Sequence, residues 1–116
     1  MRLMTNNTEA LAVAEKFLDQ MIAADAANDY EAFIRPFVVN EEFTREKFEA
    51  DVAEMQAAMG QYKSREYMGS LKGNDTDHKG SLRFVWKGFY EKEEALMVVG
   101  ICQIDGDWFA IEGMWH

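Results

Sequence analysis

The spacing of hydrophobic positions changes once along this chain, near Gly60, and the change divides it into a helical half and a strand half. Upstream, Leu11, Ala14, Leu18, Met21, Ile22 and Asp25 recur at helical intervals, with Phe17 beside them. That spacing predicts a helix from about Thr8 to Ala26 with an apolar face. Asn6, with Glu9 three residues on, has the pattern of a capping box. Asp25 ends the stripe, and either reaches into a cavity or marks where the helix emerges. Asn28-Asp29 opens a short helix through Tyr30, Phe33 and Ile34, which Pro36 ends by disfavouring helical geometry at Arg35. Phe37, Val38 and Val39 read as a strand or a buried connection. Thr44 begins a third helix carrying Phe48, Val52, Met55 and Met59 on one face and Glu46, Glu49 and Glu54 on the other, with Gly60 as its stop.

From Gln61 onward the period is two. Tyr62, Glu66 and Met68 alternate with Lys63, Arg65 and Tyr67, the mixed pattern of a strand exposed on one face or at an edge. The polar, glycine-flanked run Lys72–Gly80 is a loop. Ser81–Tyr90, Ala95–Ile104 and Trp108–Trp115 are rich in Val, Ile, Phe and Trp and read as adjacent antiparallel strands. Leu82, Phe84, Trp86 and Tyr90 share one face, and Arg83, Val85, Lys87 and Phe89 the other. Glu91–Glu94 is a charged turn. Asp105-Gly106 suits a two-residue hairpin, because both residues accept positive φ.

Helices first and a meander after predict one α+β domain over residues 1–116. Three N-terminal helices pack on the concave face of a curved, mainly antiparallel sheet, a cone-shaped roll. The middle one of these three strands is apolar on both faces: Ala95, Met97, Val99 and Ile101 on one, Leu96, Val98, Cys102 and Ile104 on the other. A sheet wet on one side alternates apolar with polar. This strand is therefore expected to be covered twice, by helices and by a second copy, giving a homodimer with its sheets back to back.

Charge narrows the partners. In 116 residues, 21 acidic side chains against 12 basic ones give a formal charge of −9. Such a field repels phosphate, so neither nucleic acid nor anionic membrane is expected as a partner. Cys102 has no second cysteine to pair with and reads as a small buried hydrophobe in a reducing compartment. The N-terminus lacks the apolar core of a secretory signal, and no apolar run is long enough to span a bilayer. A cytoplasmic location follows as the expectation.

The long opening helix, the short Asn28-Asp29-Tyr30-Glu31-Ala32-Phe33 helix and the long antiparallel strands resemble the nuclear-transport-factor-2-like superfamily. So does the ending Ile104-Asp105-Gly106-Asp107-Trp108-Phe109-Ala110-Ile111-Glu112-Gly113. The resemblance implies the cone-shaped fold shared with ketosteroid isomerases and polyketide cyclases. It fixes no activity, since that superfamily hosts isomerases, dehydratases, hydrolases and proteins without chemistry. Where its isomerases imply a tyrosine and paired aspartates, this chain offers Phe17, Trp86 and Met97, so no catalytic residue carries over.

Asp75, Asp77 and His78 do not make a calcium loop: Lys79 takes a ligand position and Trp86 stands where the closing glutamate belongs. With His116 as the other histidine, no zinc cluster forms, and neither metal nor cofactor is expected. Glu112, beside Trp108, Ala110 and Met114, and Glu66, beside Tyr62 and Met68, are the catalytic candidates. Apolar company raises a carboxyl pKa, and Tyr30, Tyr62, Tyr67 or Tyr90 could donate to an oxyanion. The bland alternative pairs Glu112 with Arg83 or Lys87 across the sheet. Three readings result. The favoured one is a cavity for a small apolar molecule lined by Phe17, Met21, Met55, Met59, Trp86, Trp108 and Met114. The others are a general acid/base lyase or isomerase, and a dimeric interaction module.

Overall fold

Helix α1 spans Arg2–Ala27, in a computed structural model that describes residues 2–38, 42–72 and 80–115. Side chains are described from Thr8 onward within those ranges, apart from Lys72 and Met114. Val39, Asp75, Asp77, His78 and His116, and the side chain of Asn6, lie outside the described residues. The helix begins upstream of the expected Thr8, so Asn6 sits inside it rather than at its cap. Arg2, Leu3 and Met4 are good helix formers with no breaker after them. The two helices that follow keep their expected caps. Asp29 accepts from the Ala32 N–H at 3.2 Å and starts α2, Tyr30–Ile34. Thr44 accepts from the Lys47 N–H at 3.3 Å and starts α3, Arg45–Met59.

Four strands follow: β1 (Tyr62–Lys72), β2 (Leu82–Tyr90), β3 (Glu94–Ile104) and β4 (Asp107–Trp115). They form a curved, unclosed antiparallel meander in the order β1-β2-β3-β4, with the helices packed against it. The Asp105-Gly106 turn has φ of 53° and 87°, as a two-residue hairpin requires. Leu82, Phe84 and Trp86 face Ile101, Val99 and Met97 across β2 and β3. This set, with Ala10, Ala14, Phe17, Leu18 and Met21 of α1, makes the main core. Trp86 is fully buried there, and its Nε1 has no hydrogen-bond partner among the described residues.

Two bulges in β1, at Tyr62/Ser64 and Tyr67/Gly69, change which residues share a face. Tyr62, Arg65 and Tyr67 stand opposite Tyr90, Gly88 and Trp86, on the helix side, while Glu66 is opposite Lys87 on the other. Arg65 consequently reaches α1, with its guanidinium 2.8 Å from Asp19 and 3.8 Å from Glu15.

Strand β3 is buried on its helix side from Ala95 to Ile101. On its outer side Val98 and Cys102 are buried, while Leu96 and Ile104 are 40% and 37% exposed. The centre of the strand is thus covered on both faces by its neighbours and the helices, and its ends are wet. Burial pushes the Cys102 thiol up and keeps it protonated.

Candidate functional site

The segment after α2 decides where space is left. Phe37 makes a parallel bridge to Ala110. Val38 N–H donates to the Ala110 carbonyl at 3.2 Å, and Ala110 N–H donates to the Pro36 carbonyl at 2.7 Å. The chain therefore covers the middle of the β4 edge. At Gly113 a Cβ would meet Met21 Sδ at 2.9 Å and Phe37 Cζ at 3.1 Å, so the absent side chain lets α1 and Phe37 close on the strand.

Helix α3 packs chiefly on α2. Phe33 stacks on Phe37 at 5.7 Å between ring centroids and meets Phe48 of α3 at 5.1 Å. Tyr30 and Phe43 complete this aromatic group, and the Tyr30 hydroxyl donates to the Phe43 carbonyl at 2.7 Å. The C-terminal end of α3 is held firmly. Gln56 Nε2 donates to the Asp25 carbonyl at 3.1 Å, Lys92 N–H donates to the Met59 carbonyl at 2.9 Å, and Lys92 Nζ donates to the Ala57 carbonyl at 3.2 Å. Propped by rings at one end and pinned at the other, α3 stands over a cavity of about 1320 Å³. Its walls are α2, α3, the end of α1 and the Ile111–Trp115 stretch of β4. The volume exceeds the usual range for a single small-molecule site, about 300–1,000 Å³, because one side is open to solvent.

Asp25 lines this cavity and is only 8% exposed. Among the described residues nothing donates a hydrogen bond to its carboxyl, and no cation pairs with it. Burial pushes its pKa from 3.8 up to about 7, because the ionised form loses its hydration without compensation. The nearby Tyr90 hydroxyl accepts from Trp115 Nε1 at 2.8 Å. Burial, with a smaller contribution from the Asp25 charge, lifts its pKa to about 12. Tyr90 is therefore a neutral phenol across the working pH range.

Of the residues that the sequence nominates for ligand binding, Met55 and Met59 line the cavity. Phe17, Met21 and Trp86 belong to the main core, Trp108 packs against it half-buried, and the Met114 side chain lies outside the described residues. Glu66 is exposed on the outer face. Glu112 is half-buried at the β4 edge, in register with Gly100, and also borders the cavity. Lys87 pairs with Glu94 at 3.2 Å, while Arg83 and Glu112 flank Gly100 across the sheet. The sequence does not nominate Phe33, Phe43 and Phe48, names Tyr30 only as an oxyanion donor, and leaves Asp25 open between a cavity and a helix end. One signal pointed to Asp25: it is the charged end of an otherwise apolar helical stripe.

Among the described residues no group of three or more His, Cys, Asp or Glu could hold a metal ion. No helix among them is long and apolar enough to cross a membrane. Compared with known protein families and with curated proteins, the chain matches no family model and no curated protein.

Proposed function

We propose that this chain binds a small, largely apolar molecule in the cavity beneath α3, with Asp25 as the polar contact at its inner wall. The observation that carries the reading is an ionisable side chain, nine-tenths buried and without a partner among the described residues, facing a space walled by aromatic rings. Buried charges are ordinarily paired, since leaving one unpaired costs several kcal/mol, on the order of 2–7 even for a neutral polar group. Strongly perturbed groups in clefts are typical of functional sites. A small-molecule library screened by thermal shift tests the proposal. Ligands raise the melting temperature of the native chain, and raise it less for Met55→Trp, whose larger side chain takes up part of the cavity. A library that shifts neither protein sinks it.

A second reading has its own support. A carboxyl with a pKa of about 7 beside a neutral tyrosine suits general acid/base work on a bound substrate. In that reading Asp25, rather than Glu112 or Glu66, is the proton-transfer group, and Asp25→Asn removes turnover while leaving the fold intact. Membership of the nuclear-transport-factor-2-like superfamily is proposed alongside, supported by the element order and the curvature of the sheet. The back-to-back homodimer is supported by the exposed Leu96 and Ile104 beside Val85 and Phe89 on the outer face. Sedimentation as a monomer at micromolar concentration removes it.

A further inference from the structure

We infer that the cavity selects an organic cation, a lipophilic amine, whose ammonium group pairs with Asp25 while its apolar body lies against the rings. This rests on the ligand-binding reading above and specifies the chemical class of the ligand. Three observations support it independently. Six aromatic side chains line the space: Tyr30, Phe33, Phe37, Phe43, Phe48 and Trp115. Ring faces attract cations, and one already does so at the rim, where the Arg45 guanidinium sits 5.2 Å from the centroid of Tyr30. Among the described residues, the charged groups bordering the space are Asp25, Glu31, Asp51, Glu54, Glu93 and Glu112, against one base, Arg35. Glu31 is engaged by Arg45 at 3.1 Å; the balance stays acidic without it. Finally, no cation among the described residues pairs with Asp25.

The alternatives fit less well. A neutral ligand leaves the Asp25 carboxylate without a charge partner and draws nothing from the surrounding carboxylates. An anionic ligand meets them head on, within a chain whose formal charge is already −9. A cation supplies what the buried carboxylate lacks, and only a paired carboxylate sits comfortably in an apolar wall. Among the described residues, the titratable groups around Asp25 are Tyr90 from β2, which stays neutral, and Tyr30, Glu31, Arg35, Asp51, Glu54, Glu93 and Glu112 around the same space. Gln56 of α3 reaches its backbone carbonyl and leaves the carboxyl open.

Phenylbutylamine, phenylbutanol and phenylbutyrate share one apolar body and differ in charge. Their binding to the whole chain is measured by tryptophan fluorescence at about pH 8 and near-physiological salt, where the Debye length is about 8 Å and surface attraction is screened. The amine binds about tenfold tighter than the alcohol, as a hydrogen bond to a charged group gives, and the carboxylate binds weakest. The amine's advantage shrinks between about pH 8 and about pH 5.5 as Asp25 takes up a proton. Asp25→Asn erases the advantage and keeps the alcohol affinity. Equal binding of alcohol and amine, or an amine advantage that survives in Asp25→Asn, overturns the charge selectivity and leaves the ligand reading standing. If Asp25→Asn does not fold, an amine advantage unchanged across the two pH values overturns it instead. Failure of all three probes to bind overturns both.

Discussion

Trp115 Nε1 donates a 2.8 Å hydrogen bond to the Tyr90 hydroxyl, tying the last strand to the end of β2 across β3. Both side chains are half-buried, so neither polar group is replaced by water at no cost. Trp115→Phe should lower the unfolding free energy by about 1–2 kcal/mol, from one lost hydrogen bond and a phenol left short of a partner. Tyr90→Phe should cost a similar amount, and the double variant less than the sum. Urea denaturation of the three variants checks this, and strict additivity would show that the bond contributes nothing.

The buried Asp25 carboxyl predicts how stability depends on pH. Its folded pKa, about 7, lies above the value of 3.8 expected when it is exposed. Between those values the unfolded chain is ionised while the folded chain holds the proton. The contribution of Asp25 to stability is therefore fully present below the unfolded value and is lost as the pH rises towards the folded one. A gap of this size corresponds to up to about 4 kcal/mol. Asp25→Asn should flatten the dependence between those limits and stabilise the protein by about 2 kcal/mol in mildly alkaline buffer, since a buried amide still carries some desolvation cost. Denaturant melts across the range decide it; an unchanged slope in the variant refutes the assignment.

Gly60 closes α3 with φ 76° and ψ −155°, a conformation essentially confined to glycine. A Cβ there would also stand 2.9 Å from both Cβ and Oε1 of Glu91. Gly60→Ala should destabilise by about 1–3 kcal/mol on backbone strain alone. Because this joint holds α3 over the cavity, ligand affinity should fall with stability. Thermal melts with and without phenylbutylamine would show both effects.

Arg65 links β1 to α1 through Asp19 and Glu15, but both acids are largely exposed. Arg65→Met, which keeps the buried stem, should cost at most about 1 kcal/mol and become nearly neutral in high salt. A loss well beyond that would mean the guanidinium orients the bulged strand itself.

The chain's local chemistry made much of this legible. The Asp29 and Thr44 caps, the Gly60 stop and the Asp105-Gly106 hairpin depend on a few consecutive residues, and they stand where the pattern placed them. The alternation of β2 and β3 told which side faces the helices for the same reason. The bulges of β1 were not legible, because they are set by pairing with β2; reading Glu66 into the company of Tyr62 followed from counting through them. The cavity was harder still. It exists because Phe33, Phe43 and Phe48, drawn from three different stretches, prop α3 away from β4, and no spacing along the chain encodes that distance. Asp25 was visible as an anomaly on its helix, but its isolation from every cation among the described residues is a property of the assembled protein.

The short parallel bridge between Phe37 and Ala110 has a consequence for how copies of this chain can join. Open strand borders invite polymerisation, each molecule extending the ribbon of the next. Here one border is already plugged midway by the molecule's own backbone, so a newcomer would have to displace Pro36–Val38 to dock along it. Ribbon growth is thereby hindered on that side: a pair can meet border to border through β1, but a fibre would have to open the Phe37–Ala110 bridge at each β4 border.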